Sequence, residues 1–168
     1  NEYITNLLLT NANATLDPEL KKFRDEYREK GVPTLLTESL NMLILMASLK
    51  KPKKILEFGT SVGCSGITLL KTSPEAELHT IERYEKSFFE AKENFEKFGL
   101  SSRVHQYMGD ALDVVGEVGD GFDFVFLDCN KSKYKDLFPK IKEILNSGGV
   151  LFADNVLFRG YITGEVKA

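Results

Sequence analysis

Five short apolar runs in this chain each end on a carboxylate. They are Ile55-Leu56-Glu57, Leu78 to Glu82, Val104 to Met108 followed by Gly109-Asp110, Phe124 to Asp128, and Val150 to Asp154. In an open α/β sheet, ligands bind at the carboxyl ends of the strands. Acids stationed there form one polar rim over an apolar sheet, able to hold organic cations, hydroxyl groups or a metal ion.

The first of these runs leads into Glu57-Phe58-Gly59-Thr60-Ser61-Val62-Gly63-Cys64-Ser65-Gly66. Glycines in such a turn let the backbone approach a ligand closely. The first two glycines are four apart, which fits a dinucleotide fingerprint poorly, and no Lys follows Gly63 as a phosphate-binding loop requires. Glu57 would also repel a phosphate. It suits a cationic ligand instead, and an ammonium beside a sulfonium describes S-adenosylmethionine. Glu82, at the next strand end, can accept from both hydroxyls of a ribose. The plainer alternative is that Glu57 and Glu82 only cap neighbouring helices.

Asp128 and Asp154-Asn155 end the last two runs. If those strands are neighbours, about 4.8 Å apart, two carboxylates and an amide oxygen converge. Like charges in one site repel, so a cation between them is the natural solution. An all-oxygen set suits Mg²⁺, with Mn²⁺ or Ca²⁺ as substitutes. Lys131, three residues beyond Asp128, is placed to take or stabilise a departing proton, and a Lys beside a cation can have a depressed pKa. Spacing alone leaves a turn at Asp154-Asn155, a helix cap at Asp128 and a surface lysine at Lys131 as alternatives.

The elements that must position these residues alternate. A helix is expected from Leu16 to Lys30, with Asp17 as N-cap, Pro18 in the first turn and Gly31 past the end. Pro33 holds Val32 extended. Thr37 is expected to cap a second helix, Glu38 to Leu49, with Leu40, Leu43, Ile44 and Ala47 on one stripe. Strands are expected at 54–58, 78–82, 104–108, 122–127 and 150–153. Helices are expected from Cys64 to Lys71, Glu85 to Phe98, Leu112 to Val118 and Tyr134 to Leu145. Repeated βα units with short loops imply a doubly wound α/β fold, a parallel sheet with helices on both faces. Such a sheet wants strands apolar on both sides, in the order 3-2-1-4-5. It usually continues past a fifth strand, so further strands beyond Ala168 are expected.

The chain of 168 residues, 42% hydrophobic and 28% charged with net charge −3, fits one globular domain with a radius of gyration on the order of 15 Å. No apolar run nears the roughly 18 residues of a membrane span. Asn1 to Leu9 has no basic start or cleavage site, and the two cysteines suggest no disulfide framework, so a cytoplasmic location is expected. Two lysine clusters, 50–54 and 131–142, read first as solvated faces.

With the glycine loop, Thr80-Ile81-Glu82-Arg83, Gly109-Asp110-Ala111-Leu112 and the two Asp-bearing strand ends in view, the chain resembles the cation-dependent O-methyltransferases, the family of the catechol and caffeoyl-coenzyme A enzymes. The likeness runs from Val32-Pro33 to Asp154-Asn155-Val156-Leu157. It implies a Rossmann-like, class I S-adenosylmethionine-dependent methyltransferase domain over residues 1–168. In that reading 1–50 would supply helices and a cofactor-closing segment, and 51–168 the core. By the same likeness Glu57, Gly59, Thr60, Ser65 and Glu82 bind the methionine and ribose portions of the cofactor. Asp110 and Ala111 border the adenine, Leu35 closes over it, and Asp128, Asp154 and Asn155 hold the metal. Asp128 and Lys131 would then be the catalytic pair, with Asp128 shared between the two sites. Cys129-Asn130 and Cys64 depart from residues common in the family.

Within the family the chain resembles the bacterial tRNA 5-hydroxyuridine methyltransferases, most tellingly at Asp154-Asn155-Val156-Leu157-Phe158-Arg159-Gly160. That implies a tRNA anticodon loop as partner, its unpaired wobble base presenting O5 beside O4 to a metal as a catechol would. Arg159 and the lysine clusters could meet the RNA backbone, although the acidic net charge offers no broad basic face. The alternatives are a catechol-like small molecule as acceptor and, from another class, a nicotinamide-dependent dehydrogenase or a non-catalytic nucleotide-binding module. Family members are often dimers, so a homodimer is expected.

Overall fold

A computed structural model describes residues 17–156. Helix α1 spans Pro18–Glu29 and α2 Thr37–Lys50. Among the described residues, four βα units and a fifth strand follow the second helix: β1 Lys54–Phe58, α3 Cys64–Thr72, β2 Glu77–Glu82, α4 Glu85–Lys97, β3 Val104–Met108, α5 Ala111–Val114, β4 Phe122–Leu127, α6 Tyr134–Ile144 and β5 Leu145–Ala153. The sheet is parallel throughout, in the order β3-β2-β1-β4-β5. This is the doubly wound α/β architecture expected from the alternating pattern.

Period-two alternation divides the strands between two cores. Ile55, Leu78, Phe124 and Phe126 face one side, against Leu20 and Phe23 of α1, Leu40, Leu43 and Ala47 of α2, Ile67 and Leu70 of α3 and Phe95 of α4. Leu56, Phe58, Ile81, Val125 and Leu127 face the other side, against Val114 of α5 and Leu137 and Ile141 of α6. The three central strands are therefore apolar on both faces.

Four local expectations are corrected. Thr37 does not cap α2: it is the first helical residue, and its hydroxyl accepts a hydrogen bond from Arg24 at 3.0 Å. Strand β3 is not buried on both sides, because as the edge strand it leaves His105 and Met108 exposed. Helix α5 ends at Val114 rather than Val118. Strand β5 starts at Leu145 rather than Val150, since Phe122 pairs with Leu145 and Phe124 with Val150, and the residues between bulge out of register. Leu16 and residues 157–160 lie outside the described residues.

Candidate active site

Each central strand hands its ladder on by one further bond at its carboxyl end. Gly59 N donates to Ile81 O (3.0 Å), Gly109 N to Glu82 O (2.9 Å), Asp128 N to Phe58 O (3.0 Å) and Asp154 N to Leu127 O (3.1 Å). These bonds fix the acids along one edge. Beside them opens a cavity of about 650 Å³, lined by the glycine loop, the ends of β2 and β4, the start of α5 and the Gly31–Leu35 connector. The cavity is within the size range of small-molecule sites.

Of the expected cofactor residues, Leu35, Gly59, Thr60, Ser65, Glu82, Asp110, Ala111 and Asp128 all line this cavity. Glu57 does not. It lies fully buried beneath the loop, where its Oε1 accepts from Ser65 Oγ (2.5 Å) and its Oε2 from Thr80 Oγ1 (2.7 Å). Thr80 spends its one hydroxyl proton on Glu57, so Thr60 Oγ1, 2.6 Å away, must donate to Thr80. From beneath the loop the Glu57 carboxylate orients Ser65 directly and Thr60 through Thr80, and both of those hydroxyl residues reach the cavity. The strand residue before a turn points into one sheet face, and here that face is the core under α3.

Burial, against the pull of Ser65 and Thr80, raises the Glu57 pKa to about 7. The unfolded chain releases this proton near the ordinary value of 4.5, whereas the folded chain keeps it to about 7. Stability from this group is therefore present below pH 4.5 and lost as the pH rises through 7, by up to about 3 kcal/mol. Thermal unfolding of Glu57→Gln against pH should show a flatter profile than the parent between pH 4.5 and 7. An unchanged slope would assign that pH dependence to other groups.

Two further acids on the rim are already engaged. Glu82 Oε2 accepts from Ser61 N (2.8 Å) and Oε1 from Tyr84 N (2.9 Å), which shapes the loop around its carboxylate. Asp110 caps α5 through Leu112 N (3.1 Å) and takes both oxygens to Lys133 Nζ at 2.9 and 2.8 Å. That hydrogen bond, more than any other influence, holds the Asp110 pKa below the usual carboxylate range.

The connector over the cavity is held by two arginines that the sequence reading missed. Arg24, 3% exposed, donates from one Nη2 to Leu35 O (2.9 Å) and Thr37 Oγ1 (3.0 Å). Arg28 donates from Nη2 to the same carbonyl (3.3 Å) and from Nε to Thr34 Oγ1 (3.0 Å). Two guanidinium groups on one carbonyl secure a segment with no ladder of its own.

At the end of β4, Asp128 Oδ1 accepts from Lys131 Nζ at 2.6 Å, and Lys131 also donates to Tyr134 Oη at 3.0 Å. The Tyr134 hydroxyl in turn donates to Leu127 O (2.7 Å) and lies 3.2 Å from Asp154 O. Tyr134 thus ties the two strand ends to Lys131; its only sequence signal was its place three residues after Lys131. Burial raises the Asp128 pKa, and the Asp154 charge adds to this against the Lys131 ammonium. Opposing influences act on Lys131. Burial lowers its pKa, but the Asp128 and Tyr134 hydrogen bonds outweigh that and leave it above the ordinary value.

A buried carboxylate whose charged form is disfavoured by a second carboxylate nearby fits a hard divalent cation. Asn155 follows with a left-handed backbone (φ 57°), turning the chain at this point. Lys131, Asp154 and Asn155 are not among the residues of the cavity wall; Lys131 connects to it through Asp128, and Asp154 O lies beside the Tyr134 hydroxyl that Lys131 bonds. The lysine clusters are less free than a solvated face would be. Lys50, Lys54 and Lys140 bind the carbonyls of Gly148, Asp120 and Leu112, and Lys131 and Lys133 bind rim acids. No described helix is long and apolar enough to cross a membrane.

Known proteins are similar to this chain in sequence and in fold. The chain is 31% identical over 156 residues to a catechol O-methyltransferase of Niastella koreensis, covering 89% of this chain and 71% of that protein. It is 31% identical over 125 residues to a catechol O-methyltransferase of Mycobacterium tuberculosis, covering 73% of this chain and 57% of that protein, so it spans little more than half of that relative's length. The O-methyltransferase TomG from Streptomyces achromogenes, solved in complex with S-adenosylmethionine, superposes with a TM-score of 0.79 at 29% identity over 91% of this chain and 72% of TomG. The family model described as O-methyltransferase matches residues 11–167. By fold, by rim and by this match over nearly its whole length, the chain belongs to the O-methyltransferase family, whose fold is that of the class I S-adenosylmethionine-dependent methyltransferases.

Proposed function

We propose that this protein transfers a methyl group from S-adenosylmethionine to one oxygen of an adjacent oxygen pair, with Mg²⁺ at the Asp128, Asp154 and Asn155 rim. The observation that carries the reading is the sharing of Asp128 between the cavity and the Lys131–Tyr134–Asp154 cluster. A donor in the cavity and an acceptor at the cluster would meet at that residue. When bound, S-adenosylmethionine supplies an electrophilic methyl on a sulfonium, and Mg²⁺ lowers the pKa of a bound hydroxyl.

The chain's own residues do the rest. Glu82 offers its carboxylate to the ribose hydroxyls, Ser65 and Thr60 present hydroxyls set by Glu57, and Asp128 faces the ligand's ammonium. Leu35, held by Arg24 and Arg28, closes the cavity from the N-terminal side and excludes water. Lys131 Nζ, held by Asp128 and Tyr134, would receive or stabilise the proton that leaves the acceptor hydroxyl and pass it on to solvent. Much of the rate would come from alignment of the two partners.

The catechol-like acceptor is favoured by the two named relatives. Wobble 5-hydroxyuridine in tRNA is the second reading, favoured by the Asp154 to Gly160 stretch. Residues 157–160, Arg159 included, lie outside the described residues. The expected outcome is Mg²⁺-stimulated methylation of a catechol by the purified protein. Methylation of 5-hydroxyuridine-bearing tRNA without turnover of catechol would select the second reading. Calorimetric binding of NAD with no binding of S-adenosylmethionine would reject both.

A further inference from the structure

The opposite end of the sheet holds a second group of metal-ligating side chains. Glu77 opens β2, and His79 follows two residues later on the same face; His79 pairs across the ladder with His105 of β3. One ligand atom from each of the three lies within 4.8 Å of the others. Glu77 Oε2 and His105 Nε2 are 3.5 Å apart. We propose that Glu77, His79 and His105 bind a transition-metal ion, Zn²⁺ in the first instance, that ties the edge strand β3 to β2.

The geometry is close to what such an ion needs. Bonds of 2.0–2.2 Å in a tetrahedral site place ligand atoms roughly 3.4 Å apart. The Glu77–His105 pair already has that spacing. The remaining contraction falls on side chains free to make it, since those of His105 and Glu77 are 48% and 60% exposed. His79 is the fixed member. It is buried, packs edge-on against Phe122 at 5.3 Å, and lies 4.6 Å from the His105 ring. Its Nδ1 is 2.9 Å from Tyr107 Oη. With the proton on Nδ1 donated to that oxygen, the lone pair of Nε2 is left for an ion, as outer partners of metal-bound histidines commonly arrange. Burial lowers the His79 pKa to about 4, so the ring is neutral at ordinary pH.

Charge also permits it. The nearby cation Lys54 is turned to Asp120 O at 2.7 Å and over the Phe122 ring at 4.5 Å; its charge reaches His79, where the Glu77 carboxylate opposes it. Two imidazoles, one carboxylate and a water select a borderline ion such as Zn²⁺, Co²⁺ or Ni²⁺ over Mg²⁺. The catalytic rim has only oxygen donors and lies at the other end of β2, about 16 Å away by strand rise. The two sites are chemically and spatially distinct.

The test is calorimetric titration of the whole chain with Zn²⁺ in excess Mg²⁺, in an Asp154→Ala background that disables the rim. Co²⁺ absorption in the visible reports imidazole ligation independently. We expect one Zn²⁺ equivalent, affinity weakened about tenfold or more in His105→Ala and in Glu77→Gln, and a Zn²⁺-dependent rise in Tm that both substitutions remove. Both positions are exposed, so the variants should fold as the parent does. Zn²⁺ binding unchanged by either substitution, or no binding below millimolar Zn²⁺, would overturn the site and leave His105–Glu77 as a surface ion pair.

Discussion

Asp154→Ala should reduce Mg²⁺-dependent methyl transfer by about a thousandfold, a barrier increase of ~4 kcal/mol, while S-adenosylmethionine affinity stays within about threefold of the parent. The asymmetry follows from where Asp154 sits. It is outside the cavity wall, so the donor site keeps its full lining. Its loss removes one of two carboxylates from the proposed metal set and leaves Asp128 paired only with Lys131 at 2.6 Å. The backbone bond from Asp154 N to Leu127 O does not depend on the side chain, so the end of β5 should hold. Initial rates with and without EDTA, together with calorimetric cofactor binding, separate the two effects. Parent activity that survives EDTA would refute the metal-assisted reading, and a parallel loss of cofactor affinity would move Asp154 into the donor site.

Gly59→Ala should lower Tm and weaken cofactor binding together. Gly59 has φ 97°, in the left-handed region, and an added Cβ would stand 2.4 Å from Asp128 O and 3.0 Å from Asp128 C. The obstacle is backbone, which cannot rotate aside as a side chain could. Relief requires the β1 turn to part from the end of β4, the two elements that flank the shared Asp128. A destabilisation of about 3 kcal/mol is expected from the strained dihedral and the overlap, with a fall in S-adenosylmethionine affinity of about a hundredfold (~2.7 kcal/mol). Differential scanning calorimetry and ligand titration measure these separately. Gly66→Ala offers a contrast: its Cβ would meet Leu78 Cδ2 at 2.7 Å and Glu57 Oε2 at 3.1 Å, side-chain atoms that can yield in part.

The two large effects trace to residues that were legible before any coordinates. Strand ends at Glu57, Glu82, Asp128 and Asp154 could be read because short apolar runs alternate with helical stripes, and each run stops where a charge appears. Asp17 as N-cap of α1 was legible for a local reason, since a cap needs only its own next turn, and its side chain does accept from Glu19 N. Thr37 looked equivalent and was not, because Arg24, thirteen residues earlier, claimed its hydroxyl. The start of β5 was misplaced for a similar reason. Glycines at 148 and 149 signal a boundary locally, but pairing of Leu145 with Phe122 on β4 extends the strand past them.

The sequence by itself determined the order of elements, the parallel α/β sheet and the row of carboxylates at its edge. These depend on hydrophobic period and on residue type at strand ends, both of which are local. Only the tertiary structure decided what each acid does. It turned Glu57 under the loop to orient Ser65 and Thr80, bound Asp110 to Lys133, and paired Lys131 with Asp128. It also brought Arg24 and Arg28 onto Leu35 O, and Tyr134 between Lys131 and the ends of β4 and β5. The physical reason is that a carboxylate's role is set by its burial and by the donors within about 3 Å of it. Those donors come from strands and helices far apart in the chain, which no local pattern records.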